Sequence, residues 1–153
     1  MKKLLQFVCI LLTLAVLFSS SAMAAVNTEK TEEIIYFADG SYITIEIIVA
    51  ETRAASTKSG SKVYVYKGSD GVEEWRAVLT GSFTYTGSSA TCTASSCSVT
   101  ITDTDWYVVS KTTGRSGASA LGTVVMGRKW LGVTVDKETF NMQLTCDANG
   151  NLS

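Results

Sequence analysis

The stretch Phe83-Thr84-Tyr85-Thr86-Gly87-Ser88-Ser89-Ala90-Thr91-Cys92-Thr93-Ala94-Ser95-Ser96-Cys97-Ser98-Val99-Thr100-Ile101 decides how the chain is read. Apolar and polar residues alternate by twos on either side of Gly87-Ser88, the pattern of half-buried strands. A two-residue link with Gly first suits a hairpin turn that needs positive φ at that position. Counting back across the turn sets Tyr85 opposite Ala90 and Phe83 opposite Cys92, so Cys92 faces inward. Cys97 alternates in phase with Val99 and Ile101 and also faces inward. Thr93–Ser96 then reads as a loop, and the whole stretch as a hairpin closed by a Cys92–Cys97 disulfide at the centre of a small β-domain.

The flanking sequence extends this pattern. Asp39-Gly40 between the apolar runs Ile34–Phe37 and Tyr42–Ala50 is a strong hairpin signal. In the second run Ile43, Ile45, Ile47 and Val49 share one face, which is assigned to the core. Glu51 to Gly60 reads as a polar loop and Lys62 to Lys67 as a strand with Val63 and Val65 on one face and Tyr64 and Tyr66 on the other. Glu73 to Thr86 is a long strand carrying Trp75, Ala77, Leu79, Phe83 and Tyr85 on one side. Gly81 interrupts that side and predicts a bend or bulge. Trp106–Ser110, Leu121–Trp130 and Val133–Val135 read as further strands. Lys111 to Ala118 reads as the longest exposed loop. Asp136–Glu138 reads as a turn into the alternating run Phe140, Met142, Leu144 and Cys146, and Asp147–Ser153 as a polar tail. Roughly seven to nine short strands with regular turn signals predict an all-β fold, an immunoglobulin-like or related antiparallel β-sandwich, with a small β-barrel as the alternative.

The start of the chain belongs to a different class of segment. Met1-Lys2-Lys3, the apolar run Leu4–Phe18 and Ala22-Met23-Ala24 have the three-part layout of a secretory signal peptide. Cleavage after Ala24 would leave a leader over 25–31 and one domain over 32–153, about 129 residues and enough to bury a core. Without Lys2 and Lys3, 11 of the 13 basic side chains remain against 14 acidic ones, a formal charge of −3. The charges are scattered, with no basic stripe for nucleic acid and none for an anionic membrane. Export sends the remaining Cys92, Cys97 and Cys146 to a compartment where disulfides persist, and three is odd. Cys92–Cys97 is the local pairing. Cys97–Cys146 or Cys92–Cys146 would close a loop of about 50 residues and restrict the unfolded chain more, and three buried thiols with no bridge are the remaining alternative.

The phrases Lys58-Ser-Gly-Ser-Lys62, Leu79-Thr-Gly-Ser-Phe-Thr-Tyr85, Ala90-Thr-Cys-Thr-Ala-Ser-Ser-Cys-Ser-Val-Thr-Ile101 and Leu144-Thr-Cys-Asp-Ala-Asn-Gly-Asn-Leu-Ser153 resemble a group of small, signal-peptide-bearing secreted proteins of Gram-positive, clostridia-like bacteria. The similarity spans most of the chain after the leader. Those motifs carry no known chemistry, so the resemblance implies a lineage and no activity.

Several chemistries lack their parts. The chain has no histidine, which removes Ser-His and Cys-His nucleophile pairs and His-containing zinc sites. Ser59-Gly-Ser-Lys62 matches a serine acyl-enzyme pattern, but that motif sits on a helix in much larger folds, and here it enters a strand. Glu32-Glu33 and Glu73-Glu74 are neighbours on extended chain, so their side chains point apart, unlike a glycosidase pair. Asp147-Ala-Asn-Gly-Asn151 begins like a calcium loop and lacks the remaining ligands. No catalytic residue, metal or cofactor is expected. The aromatic residues Tyr64, Tyr66 and Trp130 are the candidate binding residues, because exposed rings stack on sugars or anchor a partner protein; burial of both faces of a central strand would instead make the two tyrosines core. The expectation is a secreted, non-enzymatic protein that binds an extracellular protein or glycan. A carbohydrate-binding module and a small secreted toxin or antimicrobial protein are the alternatives.

Overall fold

Eight strands form among the described residues because alternation and turn signals agree along the chain. The computed structural model describes residues 32–50 and 56–153 and shows an antiparallel β-sandwich. The signal-like segment 1–24, the 25–31 leader and residues 51–55 of the expected polar loop lie outside the described residues. β1 (Glu32–Tyr36), β2 (Tyr42–Ala50), β3 (Thr57–Lys67), β4 (Glu73–Tyr85) and β5 (Ala90–Ile101) form one sheet in that order. β6 (Trp106–Ser116), β7 (Ser119–Trp130) and β8 (Val133–Thr145) form the second. Each sheet is a meander, and the two do not close into a barrel. The chain changes sheets at one corner, where Thr102 and Asp103 both donate backbone N–H groups to the Glu74 carbonyl at 2.8 and 2.9 Å.

The core lies between the sheets. β2 gives Ile43, Ile45, Ile47 and Val49, and β4 gives Trp75, Ala77, Leu79 and Phe83. From the other sheet come Ala120, Val124 and Met126 of β7 and Met142 and Leu144 of β8, with Cys146 just past the end of β8. These are the inward positions of period-two strands, and their burial is the main stabilising term. β3 is covered on both faces: Val63 and Val65 are buried on one and Tyr66 on the other.

The hairpin at Gly87-Ser88 has the expected register, with Tyr85 opposite Ala90 and Phe83 opposite Cys92. Beyond Cys92 the strand departs from the sequence reading. Thr93–Ser96 is not a loop, and β5 runs unbroken from Ala90 to Ile101. Cys92 and Cys97 are five positions apart on that strand, about 16 Å at 3.3 Å per residue, whereas a disulfide needs Cα atoms within about 7 Å. Cys92, Cys97 and Cys146, the three cysteines among the described residues, are free thiols in the structure. Both residues still face inward because β5 carries a bulge. Ser82 pairs with Ala94 and Phe83 with Cys92, which leaves Thr93 as an extra residue. One inserted residue reverses the facing of everything beyond it. Thr93 Oγ1 donates to the Ser82 carbonyl at 3.1 Å, and Arg115 of β6 donates to the Thr93 carbonyl.

Gly81 adjoins this bulge. A Cβ there would meet the Phe83 ring at 2.6 Å and the Ala120 Cβ at 3.1 Å, so only glycine lets the sheets approach so closely. Lys111–Ser116 is exposed as expected, but it is the paired end of β6 rather than a loop. The Asp136–Glu138 turn is absent. β8 passes straight through it, with one register shift where Val135 falls between the paired residues Thr134 and Asp136. Asp147–Ser153 is likewise not a loose tail. Thr145 and Ser153 exchange backbone hydrogen bonds at 2.8 and 2.9 Å, and Leu152 packs on the core.

Candidate functional site

β7 and β8 project beyond the sandwich as a two-stranded arm. Every residue from Lys129 to Lys137 is exposed. Trp130 pairs with Val133 across a two-residue turn, Leu131-Gly132. Both turn residues have positive φ, +50° at Leu131 and +81° at Gly132, the pattern of a type I′ turn. Asn-Gly is the usual occupant, because a Leu side chain in this left-handed region costs about 1–2 kcal/mol. Leu131 gains nothing by burial in return, since it is 92% exposed. Trp130, Val133 and Val135 are also exposed. Six consecutive uncharged residues, Trp130 to Val135, thus cap a projecting hairpin, with Arg128, Lys129, Asp136 and Lys137 below them.

The arm is braced at its base. The Tyr107 ring of β6 lies across Gly127, where a Cβ would come within 2.5 Å of it. The Tyr107 hydroxyl is 2.7 Å from Thr134 Oγ1, and the Lys129 ammonium sits 4.8 Å from the ring centre. Lys129 N–H donates to the Asp105 carbonyl at 2.8 Å. On the opposite face the Arg128 guanidinium lies 5.6 Å from the Trp106 ring. These contacts fix the arm before any partner arrives, which reduces the ordering cost of binding.

The expected aromatic platform does not assemble. Tyr66 is only 3% exposed, stacks on Trp75 with ring centres 5.3 Å apart, and packs edge-on to Trp106. Its hydroxyl donates to Ser41 Oγ at 2.8 Å, and the Ser41 hydroxyl donates to Asp39 Oδ1 at 2.6 Å. Tyr64 is on the same inward face, half-buried against the core, and burial pushes its phenol pKa up. The physical reason is register. Tyr66 stands between Ile43 and Trp75, and Tyr64 between Ile45 and Ala77, all core positions. Of the three aromatics only Trp130 is presented to solvent. Leu131, Val133 and Val135 went unnoticed because their alternation imitates a core strand. The available signal was Leu131-Gly132 itself, an apolar residue where a two-residue turn calls for a polar one.

Other candidate sites are occupied by structural roles. The Asp147 carboxylate accepts hydrogen bonds from the backbone N–H groups of Asn149 and Asn151 and from Asn151 Nδ2, each within 2.8 Å. That makes it a turn cap, and the bonds hold its pKa down. Glu73 pairs with Arg76 at 2.7 Å, and Glu74 accepts from Trp106 Nε1 at 2.6 Å. Burial raises the pKa of all three thiols, which opposes thiolate chemistry. Among the described residues no group of three or more Cys, Asp or Glu side chains could hold a metal ion. A shallow groove of about 360 Å³ crosses the outer face of the larger sheet, with Val63, Val65 and Val78 as its apolar floor. Glu138 stands out at the inner edge of the arm. One of its carboxylate oxygens is buried without a partner among the described residues. Burial, then the Asp136 and Asp39 carboxylates, raise its pKa against the pull of Arg128. Compared with protein families, with curated proteins and with solved structures, the chain matches none.

Proposed function

We propose that this chain is an exported, non-enzymatic binding protein and that the tip of the β7–β8 arm is its contact surface. One observation carries the reading: Leu131 occupies a strained left-handed position while 92% exposed. Neither cost is offset within the described residues, so an external partner that covers the tip would account for the residue choice. Trp130 beside it is the residue type most enriched at binding hot spots. The signal-like segment at the start of the chain supports a setting outside the cytoplasm. The absence of histidine from the sequence supports a role without general acid–base catalysis of the usual kind. The sugar-stacking reading keeps only Trp130 of its three rings and is correspondingly weaker.

The test compares retention of fluorescently labelled protein on intact bacterial cells for the parent chain and for the double variant Trp130→Ser, Leu131→Asn. The expected result is retention of the parent and at least a tenfold loss in the variant, with unchanged circular dichroism. Equal retention of the two, or none of either, overturns the assignment. A glycan array run in parallel checks the sugar alternative, which requires parent-specific signal lost on Trp130→Ser.

A further inference from the structure

We propose that Cys92 and Cys146 are joined by a disulfide bond that staples one sheet to the other, leaving Cys97 as a free thiol. The register excludes the other pairings. Cys92 and Cys97 are held about 16 Å apart by the unbroken β5 strand. Cys97 stands over Gly122: a Cβ at Gly122 would lie 3.9 Å from the Cys97 Cβ. Gly122 pairs with Met142, four residues short of Cys146, which leaves about 13 Å of β8 between them. Both distances exceed the reach of a disulfide.

Cys92 and Cys146 instead converge on one point. Cys92 N–H donates to the Gly117 carbonyl at 2.8 Å, and Cys146 N–H donates to the Ala118 carbonyl at 3.0 Å. These are consecutive carbonyls of the β6–β7 turn, so that turn holds both cysteines against its two residues. Both side chains face the interior, 5% and 1% exposed, and belong to the same core cluster. The Cys146 thiol also senses the Cys92 sulfur, which adds to burial and to the Asp147 carboxylate in raising its pKa. The bond would join the first sheet, through β5, to the residue that follows the last strand of the second, just past β8.

The oxidant is a small-molecule disulfide such as oxidised glutathione, acting while the chain folds and before the core closes. The thiolate of one cysteine attacks the glutathione disulfide and expels one glutathione thiolate. The thiolate of the other attacks the resulting mixed disulfide at the protein sulfur and expels the second. Two S–H bonds are lost, one S–S bond forms, and the two electrons and two protons leave on two glutathione thiols. The pairing is independent of what the arm binds.

The test is to refold the full chain from denaturant in a glutathione redox buffer, alkylate the remaining thiols and digest with trypsin. Cys92 and Cys97 fall in the fragment 77–111, and Cys146 falls in 138–153. The expected product is a reducible 77–111/138–153 pair, present in the parent and in Cys97→Ser and absent in Cys92→Ser. Fragmentation of the parent pair should place the bridge on Cys92, so the answer stands even where a variant fails to fold. The melting temperature of the oxidised parent should fall by roughly ten degrees or more on reduction. A bridge on Cys97, or full alkylation of Cys92 and Cys146 in the refolded parent, overturns the proposal.

Discussion

β7 ends in two tight turns that are opposites. At its start, Gly117-Ala118 is tied in by backbone hydrogen bonds from Cys92 of one sheet and Cys146 of the other. At its end, Leu131-Gly132 stands free. The strand between them alternates throughout, yet Ala120, Val124 and Met126 are fully buried while Trp130 is 65% exposed. Period-two patterning states which side of a strand is apolar. It does not state whether a second sheet stands opposite that side. Toward Gly117 the larger sheet provides that cover, and beyond Arg128 the arm has passed its edge.

The sharpest way to break this contrast is at the tied end. Leu144→Ala, close to Cys146 and fully buried, should cost about 2–5 kcal/mol in urea denaturation. A loss below about 1 kcal/mol would mean that the tied end is not part of the cooperative core. The brace of the arm comes next. Gly127→Val drives a side chain into the Tyr107 ring and should cost about 1–3 kcal/mol. It should also speed amide exchange at Lys129 relative to the β7 residues nearer Gly117. Uniform exchange along β7 would refute the brace.

Glu138 gives a smaller effect with a definite sign. Its folded pKa lies above the ordinary glutamate value, so the folded state disfavours the charged form. Stability attributable to this group therefore rises as pH falls from neutral through the raised folded pKa, and the gain is complete below the unfolded one. Asp39, Glu73 and Asp147, with lowered pKa values, act in the opposite direction and lose their contribution in acid. Glu138→Gln isolates the first term. It should stabilise the protein by about 1 kcal/mol at neutral pH, and the difference from the parent should vanish in acid. A pH-independent difference would place the carboxylate in solvent.

The smallest expected change is at the free turn. Leu131→Asn should raise stability by about 0.5–1 kcal/mol, because Asn tolerates the left-handed region and the lost side chain was not packed. The same substitution should weaken binding. A destabilised Leu131→Asn variant would show that Leu131 packs within the protein and would remove the argument for the arm.

Much of the fold was legible because local signals agreed with one another. Gly87-Ser88 set a hairpin with the register that simple counting gives, Asp39-Gly40 marked another whose loop is one residue longer, and the Ile43 to Val49 alternation marked the core. The bulge was not legible, because Thr93 carries no residue-type signal for an extra position. Counting by twos then required a loop between two inward cysteines, and the loop invited a local bridge. Whether Tyr64 and Tyr66 were core or surface was open for a different reason. β3 is covered on both faces, so two apolar sides competed for one core, and their alternation could not rank them. Leu131 was visible in the sequence as an oddity, but its exposure depends on where the opposing sheet ends.

The extra residue at Thr93 also has a mechanical consequence. Pushed out of step with its own sheet, it offers its carbonyl to Arg115 across the gap between β5 and β6. The two sheets are not laddered there, so this guanidinium acts as a rivet beside the single backbone bond from Cys92 N–H to the Gly117 carbonyl. Deleting Thr93 would both restore the strand's parity and pull the rivet, putting Cys92 and Cys97 on opposite faces of β5 and loosening the joint between the two layers.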